Sequence, residues 1–101
     1  HQDVLEAQAA AIRRDREDLQ QAMAALPGIT VYPSRANFIL FRAPQGKGKT
    51  LFEKIRAAGV LIKNLHRDDH LLRDCLRVTV GTAHENRAFL EALRQGLSAL
   101  A

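Results

Sequence analysis

The sequence is short of several residue types, and each shortage excludes a class of protein. Its only cysteine, Cys75, has no partner for an internal disulfide, so a reducing, cytoplasmic compartment is expected. No apolar run approaches the ~18–20 residues of a membrane span, and no basic start precedes an apolar segment, so neither a membrane span nor a signal peptide is predicted. With 101 residues there is room for one domain and little room for a deep cofactor cavity.

The residues that are present describe a globular domain. Hydrophobic residues make up 47% and charged residues 26%, close to the average for folded domains. Fifteen Lys and Arg against eleven Asp and Glu give a net charge of +4, which permits an anionic partner without requiring one. The chain starts at His1, not at Met, and enters directly into a helical pattern, which suggests a piece of something longer.

The first segment has the pattern of a long amphipathic helix. Leu5, Ile12, Leu19 and Leu26 recur every seven residues, which predicts a helix over 2–25 that ends at Pro27-Gly28. A coiled-coil partner is the rival interpretation of this stripe, but paired a/d positions over four heptads are missing.

The remaining pattern predicts the order β-β-α-β-β-α, with strands over 29–32, 36–42, 60–63 and 75–80 and a middle helix over 51–58. A capping box at residues 82–85 begins the last helix. The fold class is therefore α+β, a small sheet of about four strands, mostly antiparallel or mixed, with helices packed mainly on one face. Leu76, Val78 and Val80 alternate with Arg77 and Thr79, so Arg77 is expected on the face away from the helices.

Three groups of residues could carry chemistry without any reference to a family. Residues 43–50 nearly match the phosphate loop G-x-x-x-x-G-K-[ST], but Ala43 replaces the first glycine and φ-locked Pro44 follows it, so a solvated basic loop is favoured. His66, Asp68, Asp69, His70 and Cys75 cluster within ten residues without a recognised zinc spacing, so no metal site is predicted. Cys75 itself is interpreted as a small core residue.

The third group is the densest positive cluster, and it contains Lys63, His66, Arg67, Arg73 and Arg77. A guanidinium on a regular strand can clamp a carboxylate or phosphate with two parallel hydrogen bonds. The alternative is a purely structural role, in which Arg77 forms a salt bridge with a carboxylate such as Glu53 or Asp74. Nucleic-acid binding is not expected, because the aromatic residues lie in apolar patterns and do not alternate with basic ones.

Two segments resemble a known family. The run YPSRANFILFR at 32–42 resembles the "YPSxANFxLFR" segment of histidinol-phosphate aminotransferases, which are pyridoxal-phosphate (PLP) enzymes of histidine synthesis. GVLIKNLH at 59–66 and CLRVTVGT at 75–82, followed by Glu85-Asn86, are similar to the "GVLIRN…CLRVTVGTxEEN" ending of that family. The resemblance covers essentially all of 1–101 and implies the C-terminal small domain of a longer chain, with 1–26 as an interdomain-type helix.

The resemblance also implies roles for three residues. Arg77 matches the family arginine that receives the anionic end of the substrate, which is a phosphate in this subfamily. Lys63 stands where the family has a second arginine, and a lysine is a point charge without the planar fork. Asn37 lies in the "SxANF" motif and is assigned to the substrate-binding side, more as a structural hydrogen-bonding residue than as a ligand.

The family's Schiff-base lysine motif does not occur in this sequence, so no catalytic or cofactor-binding residue is assigned to it. The resemblance implies PLP in the full-length enzyme, none bound to this fragment, and no activity for the fragment alone. It implies as partners the large domain of the same chain, a phosphorylated amino-alcohol substrate and a second subunit of a homodimer. A related aminotransferase, a threonine-phosphate decarboxylase or a stand-alone anion-binding module remain the alternatives.

Overall fold

Three helices and four strands follow one another in the predicted order in a computed structural model that describes residues 2–34, 36–67 and 71–100, with the backbone alone for residues 2–9. The helices are α1 (Gln2–Ala24), α2 (Gly48–Ala57) and α3 (Ala83–Leu100). The strands are β1 (Thr30–Val31), β2 (Phe38–Arg42), β3 (Lys63–Asn64) and β4 (Cys75–Thr79). None of the described helices is both long enough and apolar enough to cross a bilayer.

The four strands form one sheet in the order β1-β2-β4-β3, and all three pairings are antiparallel. The two central strands, β2 and β4, pair along their full length from Phe38 opposite Thr79 to Arg42 opposite Cys75. β3 pairs with β4 only at Lys63 opposite Arg77 and Asn64 opposite Leu76. The predicted α+β class with a small antiparallel sheet is therefore confirmed.

The core lies between one face of this sheet and the three helices. Alternate residues of β2 and β4 point into it, because successive side chains of a strand leave on opposite faces. Phe41 and Phe89 meet edge to face at the centre, with ring centroids 5.9 Å apart and planes at 65°. The buried side chains come from every helix and both central strands: Leu19, Met23, Ile39, Phe41, Leu51, Ile55, Leu76, Val78, Phe89 and Leu93.

Two predicted boundaries were wrong. The third strand was expected over 60–63, but Val60 still donates its backbone N–H to the Ile55 carbonyl, because α2 ends through Gly59 at φ 88°. The ladder with β4 therefore begins only at Lys63. The middle helix begins at Gly48, three residues before the predicted Leu51, so Lys49 and Thr50 form its first turn.

Within residues 10–24 of α1, the side chains buried against the domain lie in the C-terminal part. Leu19 and Met23 are buried, whereas Ile12 of the same stripe is 49% exposed. A helix of 23 residues is about 34 Å long. The molecule is accordingly elongated, with principal extents of 48 × 26 × 21 Å.

Candidate anion-binding site

The sheet face turned away from the helices carries the predicted functional residues. Residues directly opposite one another on neighbouring strands have their side chains on the same face of the sheet. The strand pairings therefore show which residues form this surface, which we call the open face. It is formed by Thr30, Phe38, Leu40, Arg42, Lys63, Cys75, Arg77 and Thr79. The alternation on β4 thus places Arg77 on the face turned away from the helical layer, as predicted.

Lys63 and Arg77 are neighbours on the open face. They are direct cross-strand partners, and the Cβ atoms of such pairs lie about 4.5–5.5 Å apart. Like charges in this position destabilise a sheet, by about 0.7 kcal/mol for two unit charges about 6 Å apart in water. An anion bound to both groups would relieve this repulsion.

Arg77 has no acidic partner among the described residues. Within the described ranges its specific side-chain contact is with an aromatic ring, since its Cζ lies 5.0 Å from the ring centroid of Phe38. The side chain is half-buried, whereas Lys63 is exposed. The guanidinium N–H groups of Arg77 make no hydrogen bond to any residue that the structure describes.

Arg42, the other arginine of the open face, has a structural role. Its Nε donates to the Arg73 carbonyl at 3.0 Å and its Nη2 to the Leu71 carbonyl at 2.8 Å. Its Cζ also lies 5.8 Å from the ring centroid of Tyr32. A side-chain hydrogen bond to Cys75 raises the pKa of Arg42 above its already high ordinary value. These contacts fix the end of the β3–β4 connection to β2.

Asp74 is the residue that the sequence reasoning missed. Its carboxylate accepts the backbone N–H of Gly46 at 2.8 Å and of Gly48 at 2.9 Å, so it caps α2 from a distant part of the chain. It is 5% exposed and adopts φ 60°. The amides that a phosphate loop would offer to a ligand are thus bonded to the protein's own carboxylate. The suggested Arg77–Asp74 salt bridge is wrong, because this carboxylate is engaged elsewhere.

The cluster of His, Asp and Cys residues, for which no metal site was predicted, is only partly within the described residues, since Asp68, Asp69 and His70 lie outside them. His66 Nδ1 accepts the backbone N–H of Asp74 at 2.8 Å. Cys75 is 1% exposed, as a small buried residue should be, but it lies under residues 71–74 on the open face and not in the helical core. Within the described part of the chain no three His, Cys, Asp or Glu side chains converge.

Asn37 is not brought together with the two cations. It precedes β2 by one residue, and its carbonyl accepts the backbone N–H of Val80 at 2.8 Å. Its side chain lines a surface cavity of about 440 Å³ with Ile12, Asp15 and residues of the β4–α3 turn. It lies three positions along the chain from Leu40, the cross-strand partner of Arg77, which corresponds to about 10 Å. Its position fits a structural residue at this end of the sheet.

The turn from β4 into α3 is fixed by side-chain hydrogen bonds. Thr82 Oγ1 accepts the Glu85 N–H at 3.1 Å and Glu85 Oε1 accepts the Thr82 N–H at 2.9 Å, which confirms the capping box. The backbone hydrogen bond from Thr82, aided by the Thr82 side chain, lowers the pKa of Glu85. Asn86, 8% exposed, bonds both backbone groups of Gly81. These bonds fix the end of the strand that carries Arg77.

Solved structures share this fold. A histidinol-phosphate aminotransferase from Sinorhizobium meliloti, in complex with pyridoxal-5'-phosphate, superposes with a TM-score of 0.81 at 21% identity, over 99% of this chain and 27% of that one. L-threonine-O-3-phosphate decarboxylase from Porphyromonas gingivalis gives a TM-score of 0.77 at 26% identity, over 88% of this chain and 28% of that one. No protein-family model matches the chain. The fold is thus that of one domain of the PLP-dependent aminotransferases and their decarboxylase relatives.

Sequence comparison narrows this class. Histidinol-phosphate aminotransferase 2 from Nitrosococcus oceani is 58% identical over 92 residues, which are 91% of this chain and 26% of that enzyme. The chain is homologous to one segment of the histidinol-phosphate aminotransferases, and the resemblance drawn from its motifs is confirmed at that level. It spans about a quarter of the length of the curated relatives it matches.

Proposed function

We propose that the chain is the substrate-binding small domain of a PLP-dependent histidinol-phosphate aminotransferase, which exchanges the amino group between histidinol phosphate and 2-oxoglutarate. The observation that carries this proposal is the juxtaposition of Arg77 and Lys63 on the open face. Among the described residues, no carboxylate lies within ion-pair distance of Arg77. The 58% identity to an enzyme of this name supports the choice of substrate.

The two cations have different parts in binding the phosphate. Arg77 is half-buried on a central strand that has a neighbour on each side, so its guanidinium can present two parallel N–H groups to two phosphate oxygens. Lys63 lies on the two-residue edge strand and contributes a mobile point charge beside it. The phosphate end of the substrate is therefore oriented mainly by Arg77 and neutralised by both.

The described residues do not by themselves make a PLP site. PLP requires a lysine to bond its aldehyde in an enclosed pocket, and it then serves as the electron sink for amino transfer. Lys63, the lysine of the open face, is exposed on the sheet edge beside Arg77. The binding of PLP is therefore assigned to a large domain of the same chain. Asn37 is assigned a structural role, as a hydrogen-bonding residue on the substrate-binding side of the small domain.

The longer protein is proposed to work as a cytoplasmic homodimer in which the small domain closes over bound substrate. The 101-residue chain alone is proposed to be inactive and to bind no PLP. When PLP is added to this chain, the Schiff-base absorbance should not exceed the background from non-specific reaction of PLP with exposed lysines. A saturable, stoichiometric band would contradict the assignment of the cofactor to another domain.

A threonine-phosphate decarboxylase is a second candidate, because such an enzyme shares the fold at 26% identity. The two candidates differ in the reaction and agree on a phosphorylated amino substrate. The complete natural protein, purified with PLP, should transfer the amino group of histidinol phosphate to 2-oxoglutarate and should release no CO₂ from threonine phosphate. CO₂ release without transamination would favour the decarboxylase. If both activities were absent, an anion-binding module would be the remaining candidate.

Lys63→Ala in the complete natural protein tests the ranking of the two cations. Because Lys63 is exposed, the loss of its charge should raise the KM for histidinol phosphate by less than tenfold and leave kcat nearly unchanged. A loss equal to that of Arg77→Ala would contradict the leading role given to Arg77.

A further inference from the structure

Phe38 is an exposed aromatic residue in an unusual place. It lies on the open face, not in the core, and 41% of its surface is exposed. Its direct partner on β4 is Thr79, so Arg77 is its diagonal neighbour, two residues along the strand. Diagonal neighbours are within reach of long and aromatic side chains. The Arg77 Cζ accordingly lies 5.0 Å from the Phe38 ring centroid.

The strand order gives this contact a direction. β4 lies between β2 and β3, with Phe38 on one side of Arg77 and Lys63 on the other. A guanidinium that lies at the Phe38 ring therefore leans toward β2 and away from β3, the strand that carries Lys63. The lean separates two like charges that their register would otherwise place side by side.

We propose that Phe38 is a positioning residue for the anion site: its ring holds the Arg77 guanidinium on the β2 side, so that a phosphate can bind between Arg77 and Lys63. The ring face attracts the cation and carries no hydrogen-bond acceptor, so the N–H groups of Arg77 stay available to the ligand. A carboxylate in the same place would also hold the guanidinium, but it would compete with the phosphate for those donors. The inference rests on the proposed phosphate-binding role of Arg77.

The test measures the affinity of the complete natural protein, with PLP bound, for inorganic phosphate by titration calorimetry. Phe38→Leu keeps an apolar side chain and removes the ring face, and it should weaken phosphate binding about two- to fivefold, the size of an exposed cation–π contact. Phe38→Tyr keeps the ring and should bind phosphate like the unmodified protein. Leu71→Ala removes another exposed apolar side chain, 74% exposed, and should leave the affinity unchanged.

A second background separates positioning from a general effect on the fold. In an Arg77→Lys protein the planar guanidinium is gone, so Phe38→Leu should produce no further loss of phosphate affinity. An equal loss in both backgrounds, or no loss in the Arg77 background, would overturn the inference. If Arg77→Lys itself leaves phosphate affinity unchanged, the proposed function fails first. Thermal unfolding of each variant shows that the folded protein is being compared.

Discussion

Replacement of Asp74 tests how the segment before α2 is held. In the folded chain its buried carboxylate accepts the N–H groups of Gly46 and Gly48, and its own N–H donates to His66. Asp74→Ala removes both acceptors and leaves the buried N–H of Gly48 without its partner. We expect this variant to unfold more readily than any conservative replacement at the same position.

The magnitude follows from three contributions. An orphaned buried donor at Gly48 costs about 1–3 kcal/mol, and loss of the charged acceptor at the exposed Gly46 adds about 1 kcal/mol. An alanine at φ 60° costs about 1 kcal/mol more, because Asp and Asn tolerate the left-handed region better. The sum is about 3–5 kcal/mol, a large part of the 5–15 kcal/mol typical of a domain.

Two matched variants divide this sum. Asp74→Asn keeps one carbonyl oxygen for Gly48 and the tolerance of positive φ, so it should cost only about 1–2 kcal/mol. Asp74→Gly avoids the backbone strain at positive φ but restores neither acceptor. Its loss of unfolding free energy should therefore lie between those of the alanine and asparagine variants. Urea denaturation of the 101-residue chain, followed by circular dichroism, measures the free energy of unfolding. Equal stability of the alanine and asparagine variants would refute the reasoning.

The neighbouring glycines and the capping box give further predictions. Gly48→Ala should destabilise the chain by about 2 kcal/mol or more in urea denaturation, because a Cβ there would lie 2.6 Å from the Asp74 Cα. Gly46→Ala meets nothing within 4 Å and should cost about 1 kcal/mol through its φ of 78°; a reversed order would contradict this packing. The lowered pKa of Glu85 means that the unfolded chain binds its proton first as pH falls. Its stabilising effect is thus complete above pH ~4.3 and is lost as pH falls through the folded pKa, so Glu85→Gln should reduce the fall in unfolding free energy between pH 7 and pH 3.

Local signals in the sequence were sufficient to predict the presence and order of the helices and central strands, though not every boundary. The alternation of Leu76, Arg77 and Val78 predicts which side of β4 is buried, because strand periodicity and burial select the same register. The capping box likewise depends on residues three apart, so Thr82 and Glu85 could be recognised from spacing alone. Arg77 and Lys63 were selected by the family resemblance as well as by charge, and their cross-strand pairing appears only in the fold.

The features that the sequence did not predict depend on contacts between distant segments. Asp74 is 26 residues from Gly48, and nothing in its own neighbourhood indicates that it caps α2. Arg42 resembles Arg77 in sequence, as a basic residue on a strand, and only the hydrogen bonds to Leu71 and Arg73 show that it is structural. The contact between Phe38 and Arg77 likewise joins residues of two neighbouring strands that are far apart in the sequence.

The central claim is that Arg77 recognises the phosphate of the substrate. In the complete natural protein, Arg77→Ala should lower kcat/KM for histidinol phosphate by about a hundredfold or more, the loss of about 3 kcal/mol from a bidentate charged contact. Arg56→Ala, which removes an exposed positive charge on α2, serves as the matched control and should change little. The decisive quantity is the ratio of kcat/KM for histidinol phosphate to that for unphosphorylated histidinol. The account predicts that this ratio collapses in Arg77→Ala alone, and an unchanged ratio would contradict it.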